Sequence, residues 1–153
     1  MSTTETTQEG AWMRQQALKA LAGAKAAMEM AGTPLPPIVC LCGSTRFGAA
    51  FRRANLEHTL AGEIVLSIGC DTKSDDELAA AGEIDFDAIK GMLDELHKRK
   101  IDLADYVLVV SDEAGYFGDS TASEIQYAAE HGKPVKFAVT AAERRAYEMD
   151  LFL

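Results

Sequence analysis

Two glycine-bearing loops in this chain carry the residue types of a small-molecule site. The first, Cys42-Gly43-Ser44-Thr45-Arg46, follows the apolar run Ile38 to Cys42. Gly43 lets the backbone approach a ligand, Ser44 and Thr45 supply hydroxyls, and Arg46 offers a two-pronged donor for phosphate or carboxylate. The competing reading is a helix cap followed by a solvated arginine, since the segment is neither a Walker loop nor a triple-glycine Rossmann turn. The second loop runs from Ser111 to Asp119 after the apolar stretch Tyr106 to Val110, and leads into Ser120-Thr121-Ala122-Ser123-Glu124. Gly115 and Gly118 make it flexible on this reading. Tyr116 and Phe117 have rings that either stack on a flat base or plug a hydrophobic gap. Asp119 and Ser120 lie at the loop tip, where turn chemistry is the plainer explanation.

Glu124 has two readings. Thr121-Ala122-Ser123-Glu124 is a capping box, in which Thr121 caps a helix and Glu124 reaches back to the cap's N–H. A carboxylate at the same point could instead attack an electron-poor carbon or accept a ligand hydroxyl. His97, among Lys98, Arg99 and Lys100, reads as a solvated helix histidine unless the fold turns it into a cleft. Asp102 and Asp105 flank the amino end of a strand and read as structural. Cys40 and Cys42 are placed on opposite faces of the sheet, as structural thiols in a reducing cytosol. With three cysteines and three histidines in the chain, Cys-x-Cys is a weak metal motif, because a zinc site wants four ligands. No metal is expected.

These residues need elements to hold them. The 153 residues, 48% hydrophobic, suffice for one packed domain. A net charge of −9 argues against a general binder of nucleic-acid backbones, though not against a small anionic ligand held by local donors. No apolar run approaches a membrane span, and the polar, acidic start is unlike a signal or transit peptide, so the expected location is the cytoplasm. Residues 1–10 are expected to be disordered. Residues 11–36 are read as a helix with a loose apolar stripe (Trp12, Leu18, Leu21, Ala22, Met28) and a Pro-rich linker. Residues 37–153 alternate strand and helix: strands at Ile38 to Cys42, Glu63 to Ile68, Tyr106 to Val110 and Val135 to Val139. Between them come a helix with Phe47, Phe51, Ala54 and Leu60 on one face, a polar loop with a short helix at 75–81, and helices over 85–100 and 121–131. A last short helix starts near Ala141. The fold class is therefore α/β, a small doubly wound, flavodoxin-like parallel sheet of order 2-1-3-4 with an N-terminal helical extension. In that order the switch point lies between strands one and three, which are the strands that feed the two loops.

Over roughly residues 38–139 the chain resembles the nucleoside 2-deoxyribosyltransferase superfamily, which includes the 2′-deoxynucleoside 5′-phosphate N-hydrolases. The resemblance rests on Cys42-Gly43-Ser44-Thr45-Arg46, on Ala104-Asp105 leading into the third strand, and on the block from Glu124 through Gly132-Lys133-Pro134-Val135. The chain is similar, too, to bacterial and phage proteins of unassigned activity with a Cys-Gly-Ser-Thr-Arg-Phe start. The resemblance implies a nucleophilic Glu124 that forms a glycosyl ester as the base leaves, resolved by water or a second base. It also implies a phosphate cradle of Gly43, Ser44 and Arg46, help from Ser120, no cofactor, and a homodimer or higher homo-oligomer. Thr45, Gly118 and Tyr116 complete the expected binding set, with Asp119 or His97 handling protons. His97 stands where the family has an aspartate, eight residues before Asp105, and the acid of the nucleophile loop sits one residue later, at Asp119. A family tyrosine near the first strand is replaced by Cys40 or a neighbour. The expected function is cleavage or transfer at the N-glycosidic bond of a (deoxy)nucleoside 5′-monophosphate or deoxynucleoside. The rival expectation is a nucleotide-binding or sensing module that keeps the pocket without turnover.

Overall fold

The computed structural model describes residues 3–30, 32–69, 74, 76–77, 80, 82 and 85–152. The chain forms two compact units, Met1–Pro36 and Pro37–Leu153. The first contains one long helix, α1 (Thr3–Met30). It begins earlier than composition suggests, because no proline interrupts residues 3–30 and Gly10 and Gly23 each cost only about 1 kcal/mol. No helix among the described residues is long and apolar enough to cross a membrane.

The second unit is a four-stranded parallel sheet in the order β2-β1-β3-β4. In chain order it reads β1 (Ile38–Cys42), α2 (Gly48–Leu60), β2 (Ile64–Leu66), α3 (Phe86–Leu103), β3 (Tyr106–Val109), α4 (Asp119–Glu130), β4 (Val135–Phe137) and α5 (Thr140–Glu148). The short helix expected at 75–81 falls largely outside the described residues. Every residue of β1 and β3 is buried, while the edge strands β2 and β4 are partly exposed. Their continuous apolar sequences are what a strand covered on both faces requires.

Alternate residues of the central strands feed two cores. Val39, Leu41, Tyr106, Leu108 and Val110 pack with Phe51 and Ala54 of α2. Cys40, Cys42, Val107 and Val109 pack with Ile101, Phe117, Ile125, Ala128 and Ala142 on the other face. Leu60, expected on the buried face of α2, is 78% exposed. It lies nine residues after Phe51, which at 3.6 residues per turn is half a turn round the helix.

Asp105 fixes the start of the sheet. Its Oδ2 accepts the Ile38 N–H at 2.7 Å, and its own N–H donates to the Ile38 carbonyl at 2.7 Å. Ile38 is buried, so Asp105→Ala leaves a buried donor without its partner. We expect a loss of about 1–3 kcal/mol in unfolding free energy, read by urea denaturation. A change within error would show that water replaces the carboxylate.

Candidate functional site

The helix after β1 and the helix after β3 leave for opposite faces of the sheet, so the loops at the carboxyl ends of these strands part and leave a crevice. The structure has a cleft of about 460 Å³ there. Backbone proximity brings the loop roots together: the Val110 N–H donates to the Cys42 carbonyl at 2.8 Å. A Cβ on Gly43 would stand 2.4 Å from the Val110 carbonyl oxygen, so only glycine permits this approach. Gly115 plays a similar part in the second loop. Its φ is +77°, and a Cβ there would lie 2.3 Å from the Ala142 nitrogen at the start of α5. The second loop is thus packed down at Gly115, which corrects the expectation that this glycine serves flexibility.

Gly43, Ser44, Thr45 and Arg46 line the cleft from the first loop, and Tyr116, Gly118, Asp119 and Ser120 line it from the second. Arg46 stacks over the Tyr116 ring at 4.7 Å, and Phe47 meets the same ring edge-on at 6.3 Å. Arg145 of α5 lies 5.4 Å from it. This cluster joins the two loops across the mouth. Phe117, by contrast, is fully buried in the core, so of the two aromatics only Tyr116 lines the cleft.

The structure removes the capping reading of Glu124. Helix α4 starts at Asp119 with Gly118 as its cap, and no side chain caps it. Glu124 is then six positions into the helix, too far along to reach the free N–H groups of the first turn. It is buried and lines the cleft, together with Thr121 and His97. His97 is 9% exposed and is no solvated helix residue. Its Nε2 lies 3.4 Å from the Cys42 Sγ and 3.7 Å from the Cys40 Sγ. The two thiols share one face of β1, against the expectation of opposite faces, because residues two apart on a strand point the same way.

Burial raises the Glu124 carboxyl to about 7, even though His97 and the Cys42 thiol both pull it down. Burial pulls His97 down, but the hydrogen bond with Cys40 and the charge of Glu124 outweigh it and leave the imidazole above its ordinary value. The Cys42 thiol, followed by His97, helps Cys40 to ionise against the cost of burial, and its pKa falls to about 6. Burial pushes Cys42 up. His97 and Glu124 in the cleft and the two thiols beneath them thus form a buried cluster in which charge is costly unless partnered.

Helix α3 contributes more than the sequence suggested. Lys90, Asp94 and His97 follow one another at four- and three-residue steps, so they share a helix face, and all three line the cleft with Ile89, Leu93, Leu96 and Lys100. Lys90 Nζ donates to Ser120 Oγ at 3.3 Å and pairs with Asp94 at 3.7 Å. Asp94 restores a carboxylate one turn before His97. The spacing alone places Lys90 and Asp94 on the His97 face, but not that face on a cleft. Lys100 Nζ donates to the Ser67 carbonyl and so ties the end of β2 to the cleft wall.

No family model, curated protein or solved structure matches this chain.

The raised Glu124 pKa makes a stability prediction. A carboxyl with an ordinary pKa of 4.5 when unfolded and about 7 when folded favours the native state at low pH. That advantage is lost as pH rises through the folded pKa. Glu124→Gln keeps the shape and removes the titration. Its unfolding free energy relative to wild type should climb by about 3 kcal/mol between pH 4.5 and 7, then level off. A difference that stays flat across this window would mean that Glu124 ionises as it would in water.

Proposed function

We propose that the chain cleaves or transfers at the N-glycosidic bond of a (deoxy)nucleoside 5′-monophosphate or deoxynucleoside, with Glu124 as nucleophile. The observation that carries this reading is the position of Glu124: excused from helix capping, buried, and exposed on its one open side to the cleft between the two loops. In this reading a Glu124 oxygen bonds to the anomeric carbon as the bond from that carbon to the base nitrogen breaks. Asp119 or His97 gives the departing nitrogen its proton. Water or a second base then displaces the ester and surrenders a proton to the same group. Gly43, Ser44, Thr45, Arg46 and Ser120 hold the phosphate, and Lys90, already donating to Ser120, adds a cation beside the α4 N-terminus. The resemblance to the nucleoside 2-deoxyribosyltransferase superfamily supports the same assignment. With it goes a homo-oligomer working in the cytoplasm, without a cofactor in this step.

A binding or sensing module is the second reading. It is favoured by one observation: the His97 Nε2 is engaged by the two thiols, and so turned from a leaving group.

The test is release of free base from a panel of nucleoside 5′-monophosphates and 2′-deoxynucleosides, followed by chromatography. Glu124→Gln should lower kcat by about 10³-fold or more, as loss of a nucleophile does. With wild type, kcat/KM should rise with pH through about 7 as Glu124 loses its proton. Arg46→Ala should raise KM for 5′-monophosphates by about 10–100-fold, the worth of one charged hydrogen bond. It should leave unphosphorylated nucleosides nearly unaffected. Intact nucleotide recovered from wild type, with no base released from any substrate, would reject the enzyme reading in favour of the binder.

A further inference from the structure

We propose that Cys40, Cys42 and His97 form a binding site for a thiophilic divalent cation of the zinc class just beneath the cleft, which His97 lines. The two Sγ atoms and a ring nitrogen of His97 lie within 4.8 Å of one another, and all three residues are buried. A tetrahedral zinc with bonds of about 2.3 Å to sulfur and about 2.05 Å to nitrogen has sulfur–nitrogen edges of about 3.6 Å. The separations here, 3.4 Å to Cys42 and 3.7 Å to Cys40, straddle that edge.

The convergence asks for more than hydrogen bonding. A neutral imidazole Nε2 has either one proton or one lone pair, so it serves one thiol well and the other poorly. A cation at the centre satisfies all three atoms at once. The ligands are also held in place before any ion arrives. Cys40 and Cys42 sit on a fully buried central strand whose register against β3 is Cys40 with Val107 and Cys42 with Val109. His97 approaches from α3, and the surrounding side chains, Val107, Val109 and Ile125, are apolar. Thiolate and imidazole together select zinc-like ions over magnesium or calcium, which want oxygen. The fourth ligand of a tetrahedral ion would be a water or a group entering from the cleft, which His97 lines.

The inference stands without the N-glycosidic reading, but bears on it. A metal on Nε2 removes the atom that would carry a proton to the leaving base, so metal-loaded and glycosidic states exclude each other wherever His97 is the acid. The stability profile given above for Glu124 belongs to the metal-free chain.

Cobalt(II) is the probe. The full chain, stripped with a chelator, is titrated with Co²⁺ and followed by absorbance. We expect one equivalent bound per chain, with a sulfur-to-cobalt charge-transfer band in the near ultraviolet. One equivalent of Zn²⁺ should bleach the band, and a large excess of Mg²⁺ should not. Cys40→Ser, Cys42→Ser and His97→Gln should each weaken binding by more than about 100-fold, the upper end for losing a mere hydrogen-bonding neighbour of a ligand. The wild-type band decides sulfur ligation, and its survival in Cys70→Ser assigns the sulfur to Cys40 and Cys42 even where a variant of those two fails to fold; a band lost in folded Cys70→Ser overturns the proposal. Cobalt taken up without the band, as surface carboxylates would bind it, overturns the proposal. So does a band that survives both cysteine substitutions in folded protein.

Discussion

Everything at the candidate site depends on the side-by-side burial of β1 and β3. Two central strands covered on both faces have no freedom to slide, because a one-residue shift would send each core side chain to the opposite face. Their carboxyl ends are therefore fixed relative to each other, and Gly43 lets them stand closer than any side chain would allow. From that point the chain must diverge to α2 on one face and α4 on the other. The cleft is the space left by this divergence, and its chemistry comes from whatever residues the two departing loops and the overlying α3 happen to place there.

The architecture was legible because burial writes itself plainly. Central strands without charged residues, alternating with helices that have one apolar face, leave few topologies, and the order 2-1-3-4 followed with its switch point. The two loops were legible for the same reason. What resisted reading lay at the scale of a single turn. Ser-Thr-Ala-Ser before Glu124 offers several capping hydroxyls, and the sequence favours Thr121, yet the cap lies three residues earlier, on Gly118. Caps differ by about 1 kcal/mol, and the packing of the second loop, held at Gly115 against α5, is enough to choose between them. That small choice moves Glu124 from the first turn to the second, and so from a structural role into the cleft. Lys90 and Asp94 were missed for a different reason. Their importance is created by the long crossover that lays α3 over the switch point, and a charge on a helix face looks the same from sequence whether it meets solvent or a cleft.

The placement of Glu124 costs the fold something. A carboxyl whose burial lifts it to about 7 withholds stability from the native state at neutral pH, and a glutamine or leucine there would not. Natural cores avoid such groups unless they are partnered. Here the partners are His97 and Cys42, which offset the cost without removing it. Buried titratable groups of this kind gather where function needs them, so the residual penalty is itself an argument that the residue is used.

The cysteines extend that argument to the layer beneath. Thiols inside a parallel sheet are ordinarily small apolar fillers, and Cys40 and Cys42 would pass as such if His97 faced elsewhere. Instead one ring nitrogen is aimed between them, from a helix whose other residues on that face point at the ligand space. A histidine so placed has two uses that compete for one lone pair: it can handle a proton for Glu124, or it can close a ring of ligands with the thiols. Which use prevails is set by proton and metal activity, since thiol ligands must shed their protons to bind a cation. On the two proposed readings, acid–base chemistry and metal binding would thus draw on the same imidazole, with Glu124 beside it in the cleft.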